Sequence, residues 1–258
     1  MYLKMLRETL NWKIFIMVLL VLCCFSGCSL LDIFSKKETV KNTPEALYSR
    51  GAAEFQESNY YHNYKKAREY FMRVKEEYPL HNLAILAEIG LADCYYSDKE
   101  YSEAENAYND FITLHPTNEN VPYALYQTGM CQYIQIEAID RDQTATIKAK
   151  KGLEKVVSRY PDSKFATMAE KLIRECKQKL AEQEFYVGQF YFKQKKYQAA
   201  LARFETVARD YANIGLDYKV EYFINETKVK IAEEEKLKKA EEEKLKKAQE
   251  EKTRTAKK

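Results

Sequence analysis

The chain has 258 residues and a formal net charge of +3, with 7 glycines, 5 prolines, 21 tyrosines and 12 phenylalanines. A net positive charge this small does not indicate a basic surface for binding nucleic acid. So few glycines and prolines disfavour an all-β protein with many tight turns. The length suits one elongated domain or two small ones.

The first 27 residues have the layout of a secretory signal peptide. Basic residues precede an uncharged apolar run over 14–25, and Ser26, Gly27 and Cys28 follow as a small-residue cleavage site. A cleavage site that ends in cysteine resembles the lipobox of bacterial lipoproteins, in which the chain is cut before the cysteine and its thiol is acylated. We therefore expect residues 1–27 to be a signal peptide, cleaved between Gly27 and Cys28, with the lipid anchor on Cys28.

Two alternatives to a lipoprotein stay open, an uncleaved anchor and an ordinary secreted protein. Residues 14–31 carry no charge, and a run of that length reaches the lower limit for a transmembrane helix. The residue after the cysteine is Ser29 and not an aspartate, which favours the outer membrane in a bacterium with two membranes. We expect residues 28–43 to form a lipidated N-terminus and a polar tether.

Four segments share one register of small and apolar residues. A small residue is followed by large or apolar residues after four and then three positions and, in the first three segments, by proline after five more. The register comprises Ala67, Phe71, Val74 and Pro79; Ala104, Tyr108, Phe111 and Pro116; Ala149, Leu153, Val156 and Pro161; and Ala200, Phe204, Val207 and Ala212. Steps of four and three place these side chains on one helical face, and proline ends the helix because it cannot continue the hydrogen bonding.

A second helix with a small residue precedes each of these segments. The four small residues are Gly51, Ala92, Gly129 and Gly188. A helix pair with small residues at the crossing and proline at the exit resembles the tetratricopeptide repeat. Further helices are expected over 165–180, from near Gln183 and from Leu216. We predict an all-α tetratricopeptide-repeat superhelix, an α-solenoid, of about ten helices in five pairs over 44–230; a non-repeating helical bundle is the alternative.

Residues 231–258 are expected to form the tail, and within them the stretch 232–252 repeats the sequence AEEEKLKK. Glutamate and lysine four residues apart stabilise a solvated helix. Leu237 and Leu245 are too sparse for a coiled-coil seam. We expect a charged tail, helical or disordered; a partner-binding arm is the alternative.

Catalytic and metal-binding patterns were not found in the sequence. The three histidines lack a second ligand at metal spacing, and no phosphate loop, nucleophile elbow or zinc motif is present. Cys94, Cys131 and Cys176 each fall within a predicted helix, where burial as a small apolar side chain is the default; spacing does not decide whether two of them form a disulfide. We predict no enzymatic activity, no cofactor and no metal site.

The lipobox, tether and helix pairs together resemble the BamD (ComL-like) family of outer-membrane β-barrel assembly lipoproteins. The repeat exits at 73–79, 111–117 and 160–166 are similar to those of family members. Ala212 in place of proline, a shortened third turn around Asp140 and the charged tail depart from the family pattern. The resemblance implies a scaffold that is lipid-anchored at the periplasmic face of the outer membrane.

The resemblance also implies partners. They are unfolded outer-membrane proteins, the periplasmic domains of a BamA-like β-barrel insertase, and other lipoproteins of the assembly machine. Candidate residues of an N-terminal substrate groove are Phe55, Tyr60, Tyr61, Tyr95 and Tyr96, although core packing is the alternative for Tyr95. Arg203 stands where family members carry an arginine linked to insertase docking, against the alternative of a solvated side chain. A different function stays open, an envelope tetratricopeptide lipoprotein that scaffolds cell-wall or pilus/secretin assembly.

Overall fold

The computed structural model of the chain describes residues 42–61 and 63–255, and all the regular secondary structure in these ranges is α-helical. The helices are α1 (Pro44–Tyr61), α2 (Lys65–Glu77), α3 (Asn82–Ser97), α4 (Tyr101–Leu114), α5 (Val121–Tyr133), α6 (Thr144–Arg159), α7 (Lys164–Lys193), α8 (Tyr197–Asp210) and α9 (Asp217–Thr255). No helix in this described part is long and apolar enough to cross a membrane.

The chain divides into two compact units, Met1–Ala46 and Leu47–Lys258. In the described residues of the first unit, Thr43 Oγ1 accepts a hydrogen bond from the Ala46 N–H at 3.3 Å, where α1 begins. In the second unit the helices from α2 to α9 each pack against the next, and α5 also contacts α7. The predicted all-α, tetratricopeptide-like stack is confirmed.

The repeat register forms the core of the second unit. In each of the four segments these core residues are the alanine, the large residue four positions later and the apolar residue three positions after that. All twelve side chains are at most 3% exposed. The small residues of the preceding helices permit this close packing: a Cβ atom on Gly188 would lie 2.6 Å from Phe204 Cε1, and one on Gly129 would lie 2.8 Å from Leu153 Cδ2. Because real Cβ contacts are longer, the large side chain of the second helix requires a small residue opposite it.

The helices α2, α4, α6 and α8 end in the same way. Their last carbonyls are capped by Tyr78, His115, Tyr160 and Tyr211, with φ between −138° and −126° and ψ between 38° and 57°. Each of these residues donates its backbone N–H to the carbonyl oxygen four positions earlier. Proline follows the first three, and its ring disfavours the helical conformation in the residue before it. Tyr211 adopts the same conformation before Ala212, so the exit does not require the proline.

One predicted helix boundary was wrong. The expected helices over 165–180 and from Gln183 form a single helix of 30 residues, α7, so the described residues contain nine helices and not ten. No glycine or proline lies between Phe165 and Val187, and Leu180 and Ala181 are buried in the helix. Nothing in this stretch interrupts the hydrogen bonding, and buried apolar contacts continue across the expected break.

The last helix, α9, runs without a break from the packed part of the unit into the charged tail. Val220 is 1% exposed and Thr227 0%, whereas none of the described side chains beyond Ile231 is buried. The boundary predicted at 230/231 lies within this helix, a few residues after its last buried side chain, Thr227.

The three cysteines among the described residues are free and buried. Burial raises the pKa of the Cys94 and Cys131 thiols to about 12 and that of Cys176 to about 11. These thiols stay protonated at neutral pH and act as small apolar side chains, as predicted.

Candidate functional site

A cavity of 690 Å³ opens among α1, α2, α3 and the starts of α5 and α7. Tyr48, Ala52 and Phe55 line it from α1, where steps of four and three residues bring them to one face of the helix. Tyr123 lines it from α5 and Phe165 from the first turn of α7. The volume is within the range of sites that bind small molecules or peptide side chains.

The aromatic walls of the cavity are held by contacts between rings. The Tyr48 and Phe71 ring centroids are 5.5 Å apart, and those of Tyr123 and Phe165 are also 5.5 Å apart. Such tilted pairs add to the stability gained by burying the rings. The walls are therefore largely pre-formed.

Asp93 of α3 also lines the cavity, and its carboxylate is held by two tyrosines. Tyr108 Oη donates a hydrogen bond to Asp93 Oδ1 at 2.5 Å, and Tyr123 Oη donates to the same oxygen at 2.7 Å. Gln127 Nε2 in turn donates to Tyr123 Oη at 2.9 Å. This network joins α3, α4 and α5, so the carboxylate has a fixed position.

The network perturbs the protonation of its members. Burial raises the pKa of Asp93, against the lowering effect of the hydrogen bonds from Tyr108 and Tyr123. Burial, with the neighbouring Asp93 charge, raises the pKa of both tyrosines above the ordinary value for a phenol. Both phenols therefore stay protonated and serve as hydrogen-bond donors.

The structure brings one of the predicted groove residues, Phe55, to this cavity. Tyr60 is 81% exposed in the last turn of α1, and the side chain of Tyr61 lies outside the described residues. The Tyr95 ring lies 4.9 Å from the Arg68 guanidinium and lines a different surface pocket. The Tyr96 ring packs 5.6 Å from that of Tyr101.

Several cavity residues were missed from the sequence. Asp93 carried one usable signal, because it and Glu88 are the only charged residues in the otherwise apolar helix α3. Tyr48, Tyr123 and Phe165 carried none, since the contacts that join them cross helices far apart in the sequence.

Arg203 of α8 forms an ion pair with Glu184 of α7. Its Nη1 donates to both carboxylate oxygens, at 2.9 and 3.2 Å. The Arg203 side chain is 44% exposed, so it is both paired and accessible. Gly27 and Cys28, the predicted cleavage and lipidation residues, lie outside the described residues.

Exposed aromatic side chains occur on the last helices of the unit. Tyr186 and Phe190 are about half exposed on α7, and Tyr218 and Tyr222 are exposed on α9. Each pair is spaced by four residues and therefore lies on one face of its helix. In the described ranges no group of three or more histidine, cysteine or acidic side chains is arranged to hold a metal ion.

Comparison with known proteins gives consistent matches. The family model YfiO, described as outer membrane lipoprotein, matches residues 40–246. The chain is similar to the outer membrane protein assembly factor BamD of Rickettsia prowazekii (strain Madrid E), with 34% identity over 148 residues, 57% of this chain and 59% of that protein. It is 32% identical to the protein of that name from Caulobacter vibrioides over 195 residues, 74% of this chain and 62% of the relative.

A third relative extends the set of matching bacteria. The outer membrane protein assembly factor BamD of Neisseria meningitidis serogroup B is 28% identical over 179 residues, 66% of each chain. The chain spans about three fifths of the length of the first two relatives that it matches.

Proposed function

Since the chain belongs to the YfiO family of outer membrane lipoproteins, we propose that it is a non-enzymatic scaffold for the assembly of β-barrel proteins in the outer membrane. The observation that carries this proposal is the extent of the family match. Residues 40–246 include α1 to α8 and most of α9. The relatives, whose printed name is outer membrane protein assembly factor, support the same role.

The cavity around Asp93 is the proposed groove for unfolded outer-membrane protein segments. An extended segment presents alternate side chains to the surface on which it lies, and the aromatic wall of Tyr48, Phe55, Tyr123 and Phe165 offers apolar contact for them. The ring contacts already present reduce the entropy lost on binding. Of the residues predicted from the sequence, Phe55 stays in this proposal as a contact residue.

The C-terminal helices are the proposed docking surface for the periplasmic domains of a BamA-like insertase and for other lipoproteins of the machine. Exposed aromatic side chains such as Phe190 and Tyr218 are common at the centres of interfaces. Arg203 adds an accessible guanidinium, a group that recognises carboxylates.

Attachment to the membrane is proposed through Cys28, with residues 28–43 as the tether. Acyl chains contribute about 0.8 kcal/mol per buried CH2, and more than one chain is needed for stable anchoring. We expect Cys28→Ser to leave the helical stack folded and to release the protein from the outer membrane fraction, as measured by circular dichroism and by fractionation.

Affinity purification of the full chain, followed by mass spectrometry, tests the main proposal. We expect it to recover a β-barrel insertase with tandem periplasmic domains. Recovery of pilus secretins or of cell-wall synthases in its place contradicts the proposal and supports the alternative scaffold.

Arg203→Glu tests the docking surface. We expect at least a tenfold loss of affinity for the insertase periplasmic domains, about 1.4 kcal/mol, because the change removes the guanidinium and sets two carboxylates against each other. The measurement is titration calorimetry at moderate salt, and Arg209→Glu on the same helix is the matched control, since Arg209 forms its ion pair with its neighbour Asp210.

A charge swap separates docking from folding. Arg203→Glu combined with Glu184→Arg restores an ion pair between α7 and α8 but moves the positive charge from α8 to α7. If the swap restores insertase binding, Arg203 acts through the ion pair and the docking proposal for this residue is wrong. We expect binding to stay weak.

A further inference from the structure

The Asp93 carboxylate accepts hydrogen bonds but has no counter-ion among the described residues. Burial raises its pKa and the two tyrosine hydrogen bonds lower it, with no contribution from a cationic neighbour. No ion pair joins it to a lysine, arginine or histidine of the described residues. Lys164 lines the same cavity, but its Nζ lies 5.0 Å from the Phe165 ring centroid. A buried carboxylate with no cation is costly, and its retention in a cavity points to a ligand.

One oxygen of this carboxylate is accessible. Both tyrosines donate to Oδ1, and no described residue donates to Oδ2. Among the described residues, no fully buried side-chain oxygen lacks a hydrogen-bond partner. Oδ2 is therefore not fully buried, and because Asp93 lines the cavity, a ligand there has an acceptor within reach.

The fold itself does not require an acid at this position. Asp93 follows the small residue Ala92, and the equivalent residues after Gly51, Gly129 and Gly188 are Ala52, Met130 and Gln189. The position of Tyr108 is taken in the other pairs by side chains without a hydroxyl. Those residues are Phe71, Leu153 and Phe204. Among these four helix pairs, an acid after the small residue and a hydroxyl at the large position thus occur together only as Asp93 and Tyr108. Asp93 is also the residue that lines this cavity.

The walls complete a site for a positive charge. Tyr48, Phe55, Tyr123 and Phe165 line the cavity together with Asp93. Aromatic faces attract cations through the ring quadrupole, and do so more strongly where water is displaced. A ligand carboxylate would be repelled by Asp93, and a purely apolar side chain would leave the Asp93 charge without a partner.

We propose that Asp93 is the floor of a subsite that takes a lysine or arginine side chain of the bound segment. This inference rests on the proposed groove and adds its selectivity. The aliphatic stem of the basic side chain packs against the aromatic rings, and its charged end meets Asp93 Oδ2. Glu119, which also lines the cavity, is exposed and contributes only a screened charge.

The test uses the full chain in detergent and a pair of short blocked peptides of alternating apolar and polar residues. The peptides differ at one central position, lysine in one and norleucine in the other. By fluorescence anisotropy we expect the lysine peptide to bind about tenfold more tightly. Asp93→Asn keeps an oxygen that can accept from the tyrosines, and we expect it to abolish the difference between peptides. Glu119→Gln, the matched control, keeps the difference.

The outcomes separate the subsite from the groove. Equal binding of both peptides to the unaltered protein overturns the basic subsite and leaves the proposed groove standing. Binding of neither peptide overturns the groove and the subsite with it. Discrimination that survives Asp93→Asn and is lost in Glu119→Gln assigns the charge to Glu119 and also overturns the proposal.

Discussion

Tyr108 in α4 and Phe204 in α8 occupy the same position of the repeat, and both are fully buried. Phe204 lies among other rings, with its centroid 5.5 Å from Phe185 and 5.2 Å from Phe223. Tyr108 is packed as tightly, but its hydroxyl reaches Asp93. The repeat register thus determines that a large side chain is buried at this position. The additional hydroxyl oxygen of Tyr108 allows its helix pair to hold the Asp93 carboxylate as well.

The largest effect on stability is expected from removing the Phe204 ring. Phe204→Ala should lower the free energy of unfolding by about 3–5 kcal/mol, because it loses buried area and leaves a cavity. Urea denaturation measures this change. Phe190→Ala is the control, since Phe190 is 54% exposed, and we expect its effect to stay within about 0.5 kcal/mol. Equal effects at the two positions would contradict the assigned core.

Removing the hydroxyl at position 108, or adding one at position 204, should have a smaller effect on stability. Tyr108→Phe removes one donor from Asp93 and should cost about 1–2 kcal/mol in urea denaturation. Phe204→Tyr places a hydroxyl among phenyl rings with no acceptor and should cost about 1–3 kcal/mol. Tyr218→Phe, at an 84% exposed position, is the control. A neutral Tyr108→Phe would show that the hydrogen bond to Asp93 does not stabilise the fold.

The smallest effect concerns pH. Because the pKa of Asp93 is raised in the folded protein, its contribution to stability is greatest below the ordinary aspartate range, about pH 4, and is lost as the pH rises through the raised value. The stability of the unaltered protein relative to Asp93→Asn should therefore fall with rising pH, by at most about 1.4 kcal/mol per pH unit.

Urea denaturation at a series of pH values measures this dependence. Tyr48, Tyr108 and Tyr123 face or adjoin Asp93, but their raised pKa values keep them protonated in this range. Glu119 and Lys164 line the same cavity and are present in both proteins, so they cancel in the difference. A difference that does not change with pH would mean that Asp93 does not titrate in this window.

Much of the fold followed from the sequence because it depends on local spacing. Steps of four and three residues are sufficient to place Ala104, Tyr108 and Phe111 on one buried face, and the prolines at 79, 116 and 161 mark helix ends. The break expected before Gln183 was wrong because no helix-breaking residue lies there and the buried side chains Leu180 and Ala181 continue across it.

The candidate site was less predictable because it depends on contacts between distant residues. Asp93 gains its character from Tyr108 and Tyr123, which are 15 and 30 positions away. Aromatic abundance alone pointed to Tyr95 and Tyr96, yet one helix cannot direct all its aromatic side chains to the same side. Phe55 was predicted on the same aromatic abundance, and it reaches the cavity because it shares a helix face with Tyr48 and Ala52.

The continuity of α7 has a consequence for how the protein unfolds. Its first half contributes Ala169 to the same core cluster as Tyr108, and its second half contributes Ala181 and Phe185 to the cluster around Phe204. Repeat proteins lose cooperativity where the coupling between neighbouring units is weak. A single helix shared by both clusters provides no loop at which the stack can separate, so the two ends should melt in one transition and protect their amide hydrogens from exchange together.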